Sequence, residues 1–148
     1  IGTLNSTLSI NDRFLGYYKA LLESGITIDS KNLIDDRNHH GEKSSFDLPK
    51  PLPTAFVCNN DHVAYLLIQQ LKKQKLSVPK DISVVGFDNV KYSTLSDPQI
   101  TTMKVSRTAV AEQTIDILFK RLKQPNMKRN IISIECTLIE RESVLKLV

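Results

Sequence analysis

Residues 53–89 read PTAFVCNNDHVAYLLIQQLKKQKLSVPKDISVVGFDN, and this stretch decides the fold class. Residues 54–58 are a continuous apolar run, the kind found in strands buried on both faces. Val63, Ala64, Leu67, Ile68 and Leu71 then repeat at helical spacing over residues 61–74. Pro79 punctuates, and residues 82–87 (ISVVGF) form a second buried strand ending at Asp88-Asn89. Strand, helix, strand in this order is a βαβ unit, so the sheet is largely parallel. In such sheets ligands bind beyond the carboxyl ends of the strands. That rule selects two polar clusters, Cys58-Asn59-Asn60-Asp61 and Asp88-Asn89.

Upstream, residues 11–24 predict a helix with Phe14, Leu15, Tyr18, Leu21 and Leu22 as its apolar face. Ser9 or Asn11 serves as its cap and Gly25 as its stop. Residues 32–35 read as a short strand. Residues 36–53 are polar, with prolines at 49, 51 and 53, and predict an extended loop. A loop of this length points to a functional segment, and Asp36, Arg37 and His39 lie where a cleft would be lined. Downstream, residues 90–99 read as loop, 100–105 as strand, and 130–139 as strand. Residues 106–122 read as helix, capped by Ser106 and striped by Ala111, Ile115, Leu118 and Leu122.

Composition narrows the function classes. The chain has 148 residues, 41% of them hydrophobic and 24% charged, enough to bury a core without disulfides. The net charge of +4 is mild. The basic clusters Lys72-Lys73-Lys75-Lys80 and Lys120-Arg121-Lys123-Lys128-Arg129 read as solvated helix ends, where cations suit the dipole. They lack the interleaved aromatics of a nucleic-acid surface. Cys58 and Cys136 form no metal or redox spacing and read as reduced cysteines of a cytoplasmic protein. No run of apolar residues is long enough for a membrane helix, and no signal peptide is visible. The opening Ile1-Gly2 reads as the end of a strand, and the chain as a fragment. An enzyme is disfavoured. There is no GxGxxG or P-loop, and the histidines at 39, 40 and 62 form no constellation with a serine or cysteine. The His39-His40 pair lacks a third ligand at useful spacing, so no metal or cofactor is expected.

Residues 53–89 resemble the signature core of the LacI/GalR regulator family: P-T-A, a strand, N-D, a helix, then V-P-x-D-I-S-V-V-G-F-D. Gln99-Ile100-Thr101-Thr102 is similar to the family's P-L-T-T, and residues 13–21 (RFLGYYKAL) to its R-x-x-G-F-x-x-A-L helix. The resemblance implies an α/β, periplasmic-binding-protein-like type I fold, here mostly one three-layer lobe with a parallel sheet. Residues 1–99 would form the C-terminal lobe, residues 100–129 the return to the N-terminal lobe, and residues 130–148 a last strand and tail. The function implied is the effector-binding and dimerisation domain of a DNA-binding repressor of carbohydrate-use genes. The effector would be a sugar or sugar phosphate. A homodimer would form through helix 61–74 and loop 90–98, with DNA contacted only by a headpiece outside this chain. An extracytoplasmic sugar-binding protein of a transporter is the alternative.

Carried over by motif, the ligand-binding residues are Arg13, Asn60, Asp88 and, less firmly anchored in the pattern, Ser9. A guanidinium, a carboxamide and a carboxylate each suit sugar hydroxyls. Asp61 is assigned to capping the helix instead. Two departures stand out. The family often places a helix where residues 36–53 form a short proline-rich segment. Arg107 stands where some relatives carry an aromatic residue.

Overall fold

The βαβ unit folds as its pattern requires. A computed structural model describes residues 1–4, 6–38, 40–42 and 45–146. It contains β3 (Ala55–Val57), α2 (Asp61–Lys73) and β4 (Ser83–Asp88). Before them come α1 (Leu8–Glu23) and a two-rung hairpin of β1 (Arg37–Asn38) and β2 (Gly41–Glu42). After them come α3 (Lys91–Leu95), β5 (Thr101–Val105), α4 (Arg107–Lys123) and β6 (Cys136–Ile139).

The main sheet has the order β3-β4-β5-β6. β3, β4 and β5 are parallel, and β6 is an antiparallel edge. Ile1 extends the sheet past β3. Its nitrogen donates to the Val57 carbonyl, its own carbonyl accepts from Asn59 N–H, and Gly2 N–H bonds Ile34 O at 2.8 Å. The expected strand at 32–35 is not regular. A 3₁₀ turn occupies Ser30–Asn32, and Ile34 joins the sheet edge through the Gly2 bond.

Strand alternation sends Phe56, Val84 and Gly86 to the α2 face, and Ala55, Val57, Val85 and Phe87 to the α1 face. The first set builds the core. Val63, Ala64, Leu67, Ile68 and Leu71 of α2 pack on Phe56, Cys58, Ile82, Val84 and Ile100, all buried. The 36–53 segment contributes as well. Phe46 is buried against this core. Its N–H donates to Gln70 Oε1 and its carbonyl accepts from Gln70 Nε2, both at 2.7 Å.

Several boundaries differ from the sequence reading. Helix α1 begins earlier, because Thr7 and neither Ser9 nor Asn11 accepts the capping bond from Ile10 N–H (3.2 Å). Its sheet-facing stripe is Ile10, Arg13, Phe14 and Tyr17, while Leu15 and Leu22 are exposed. The 90–99 loop contains the short helix α3. The last strand is shorter than 130–139. Residues 101–105, read as part of the return segment, are an inner strand of this sheet. Ser106 caps α4 as expected, through Ala109 N–H at 3.3 Å. The apolar stripe of α4 is present but buries no residue. Beyond β6 the chain runs under the sheet, where buried Ser143 exchanges bonds with Val84, Gln99 and Thr101.

Candidate functional site

The site is built where β4 ends. Gly86 is required there, because a Cβ at that position would stand 2.3 Å from Asp61 Oδ1. That close approach lets α2 begin directly over the strand. Two residues later the backbone turns sharply. Asp88 and Asn89 have φ of 98° and 51°, in the left-handed region that non-glycine residues rarely adopt. The turn carries the Asp88 carboxylate toward α1.

Arg13 reaches down from α1 to meet it. Its Nη2 donates to Asp88 Oδ1 at 3.2 Å, and its Nη1 donates to the Asn59 carbonyl. The guanidinium lies over the Phe87 ring, 3.8 Å from the centroid. A cation over an aromatic face is favourable by about 0.5–2 kcal/mol, depending on desolvation. Both partners of the ion pair stay partly open, with 26% and 35% of their side chains exposed. The ends of β3 and β4 therefore present a charged, fixed and partly open pair beyond the carboxyl ends of parallel strands.

The other two candidates stand apart from this pair. Asn60 is the cap of α2, its Oδ1 accepting from Val63 N–H at 2.9 Å. Ser9 lies exposed in the first turn of α1, its hydroxyl 3.1 Å from Thr7 Oγ1. Asp61, assigned to capping, does something else. It is fully buried, takes Thr102 Oγ1–H at 2.6 Å and Val90 N–H at 2.7 Å, and so ties α2 to β5 and to the turn after β4. Burial pushes its pKa up, and the two hydrogen bonds only partly oppose this.

Asp36 does not line the cleft. It is buried, and its carboxylate accepts from Thr3 N–H (2.7 Å), Thr3 Oγ1–H (2.8 Å) and Asn59 Nδ2–H (2.8 Å). Burial alone would raise its pKa, but the hydrogen bonds win and the carboxyl is held below its usual range. Arg37 is exposed, and His39 lies outside the described residues. Burial pushes the Cys58 thiol up to about 11, so it is an inert core thiol rather than a nucleophile. Among the described residues, no group of three or more His, Cys, Asp or Glu is placed to hold a metal.

Asn59 falls in a cluster that the sequence selects, but neither its role nor that of Phe87 in holding Arg13 is expected from the sequence. A signal for them existed: an arginine in the middle of an otherwise apolar helix face (Ile10, Phe14, Tyr17) must meet acceptors inside. Beneath that face lies a cleft of about 590 Å³, within the size range of small-molecule pockets. It is walled by Phe14 and Tyr17 on one side and Val57, Val85 and Met103 on the other. Arg13 and Asn59 stand on its wall, whereas Asp88, Ser9 and Asn60 do not. Polar chemistry therefore sits at the strand ends, and the apolar volume lies beside it.

The sequence matches the periplasmic binding protein-like domain over residues 1–144. The chain belongs to this family. It is 31% identical over 137 residues to the HTH-type transcriptional repressor PurR of Photobacterium profundum, a match covering 90% of the chain and 41% of that protein. Its fold is similar to a transcriptional regulator CelR–cellobiose complex, with a TM-score of 0.83 at 19% identity over 97% of the chain and 45% of that structure. A LacI-type transcription regulator from Bifidobacterium animalis subsp. lactis superposes with a TM-score of 0.74 at 26% identity, covering 90% and 50%. The domain is thus of the kind carried by LacI-type regulators, and the relatives are repressors rather than enzymes. The chain spans about two fifths of the length of the curated relatives it matches. Among the described residues, no helix is long and apolar enough to cross a membrane.

Proposed function

We propose that this periplasmic binding protein-like domain is the effector-binding part of a DNA-binding transcriptional repressor, and that its effector is an uncharged, sugar-like molecule. The carrying observation is the Arg13–Asp88 pair over Phe87 at the strand ends. A sugar diol accepts from a guanidinium and donates to a carboxylate at once, while the ring face packs on apolar surface. The charge of Arg13 is already matched by Asp88, which favours a neutral sugar over a sugar phosphate. Asn60 would contribute its amide from the cap position and Ser9 its hydroxyl.

Residues 1–105 and 130–148 would belong to one lobe of a two-lobe sensor, with α4 packing its exposed stripe on the other. A homodimer through α2 and residues 90–98 fits the aromatic cluster there. The Tyr92 ring lies tilted, 4.6 Å from His62 and 5.6 Å from Tyr65 between centroids, and Leu95 is exposed. Effector binding would then shift a two-state equilibrium between DNA-binding and released forms. DNA contact would come from parts of a longer protein.

Thermal shift of the chain and of the full protein containing it, against ribose, cellobiose and ribose 5-phosphate, tests the reading. A neutral sugar should raise Tm by mass action, and Asp88→Asn and Arg13→Ala should each abolish the shift. A sugar-induced shift that survives both substitutions, or a response confined to the phosphate ester, overturns it.

A further inference from the structure

The turn after β4 places two successive non-glycine residues in left-handed backbone, Asp88 and Asn89. Such a turn persists only where its surroundings over-determine it. Two clamps do so. From α2, Asp61 accepts Val90 N–H. From beyond β6, Arg141 donates through Nη2 to Asn89 Oδ1 and through Nη1 to the Ile100 carbonyl, both at 2.7 Å. The Arg141 backbone is itself pinned, because its N–H donates to Thr101 Oγ1 at 2.9 Å and its carbonyl accepts from the same hydroxyl at 3.1 Å.

We propose that Arg141 is a positioning residue for the Asp88 carboxylate. By holding Asn89 in its left-handed conformation it fixes the turn that aims Asp88 at Arg13. Arg141 never touches the effector. It acts through Asn89 and one peptide of backbone. Its place in the chain gives the clamp a second consequence. Arg141 follows β6, the strand on which the chain returns from the α4 excursion. A displacement of that returning segment would loosen the Asn89 bond and release Asp88. The clamp is therefore a physical connection between the excursion and the ligand contact. The proposal rests on the reading of Arg13 and Asp88 as effector contacts.

The test is made without effector. Proton exchange of the Arg13 guanidinium, followed by nitrogen-15 NMR on the whole chain, reports how firmly Asp88 and Asn59 hold it. Arg141→Gln should speed that exchange about tenfold, as the turn loses its left-handed population. Asn89→Gly alone should leave it near the parent value, since glycine adopts positive φ without a clamp. The double variant Arg141→Gln/Asn89→Gly should recover the slow exchange although Arg141 is still missing. A lower Tm with unchanged Arg13 exchange in Arg141→Gln would show a merely structural role and overturn the proposal. Failure of the glycine to rescue would overturn it too. Should Arg141→Gln not fold, Arg141→Lys replaces it, because one ammonium cannot span both acceptors, and the same rescue is required. A failure of the sugar-binding reading shows separately, as absence of any sugar response in the parent chain.

Discussion

The two faces of the sheet are finished to different degrees. On the α2 face, every inward side chain of the helix is buried and even the polar residues, Asp61, Thr102 and Ser143, are paired inside. On the α1 face, the helix stands over a 590 Å³ cleft, and among its residues only Ile10 is buried. Helix α4 goes further and buries nothing, with Leu118, Phe119 and Leu122 all more than half exposed. One side is a scaffold and the other is open surface that carries the proposed effector contacts. Stability belongs to the first, while Arg13, Phe87 and the cleft belong to the second.

The sharpest way to break that division is a matched pair of leucines. Leu67→Ala removes a fully buried side chain from α2 and should cost about 2–5 kcal/mol in urea unfolding. Leu118→Ala, the same chemical change at a 55% exposed site on α4, should stay within about 0.5 kcal/mol. Equal losses would mean that α4 is packed in this chain and that the division is false.

Glycines give the next contrast. Gly86→Ala drives a methyl group into Asp61 and should cost about 1–3 kcal/mol, because the neighbour is a buried, bonded carboxylate that cannot yield. Gly16 lies mid-helix in α1 with open space around its Cβ position. Gly16→Ala should therefore stabilise by up to about 1 kcal/mol through helix propensity alone. Opposite signs from one substitution type, read as shifts of the urea midpoint, are the expected result.

The same division explains what the sequence disclosed. The strands and helix of residues 53–89 were legible because burial on both faces leaves a continuous apolar run, and Leu67 and Val84 could occupy no other place. Asp88 and Arg13 were legible through motif, and they do meet. Asn60 caps α2 where Asp61 is expected to, and Asp61 is buried instead, because adjacent polar residues at a helix start give no local sign of which one turns inward. Phe46 was hidden in a polar, proline-rich stretch, where one anchor residue has no periodicity to reveal it. The α1 stripe was misplaced by one position because Tyr17 and Tyr18 are chemically identical neighbours. Arg141 and Ser143 were invisible, since their partners lie at Asn89 and Val84, far away in the chain.

Titration separates two buried carboxylates that otherwise look alike. Asp36 has a depressed pKa, so its contribution to stability is complete above the unfolded value near 3.8 and is lost as pH falls through its lower folded value. Asp61 is the reverse. Its folded pKa is raised, so the protein gains from protonating it, and stability falls as pH rises from 3.8 through the raised value. Denaturant midpoints measured from pH 3 to 7 should show Asp36→Asn flattening the acid limb below 3.8. Asp61→Asn should flatten the slope above it. A steeper acid limb in Asp36→Asn would contradict the hydrogen-bond assignment.

The smallest effect expected is at Lys72–Asp97, which has better ion-pair geometry than Arg13–Asp88, at 2.8 Å against 3.2 Å. Geometry is outweighed by exposure. The Asp97 side chain is 95% exposed, so water screens the pair and two mobile side chains must be ordered to form it. Lys72→Met should change stability by less than about 0.5 kcal/mol, and that change should vanish in 1 M salt, where the screening length is about 3 Å. Arg13→Met should also change stability modestly, since its pair is partly open, but most of its effect should persist in salt. Two of its interactions, the stack on Phe87 and the bond to the Asn59 carbonyl, are not between ions of opposite charge. Urea unfolding of both variants at low and high salt compares the two directly. If the Arg13 effect disappeared with salt as fully as the Lys72 effect, the guanidinium would be an ordinary surface cation, and the strand-end site would lose its fixed donor.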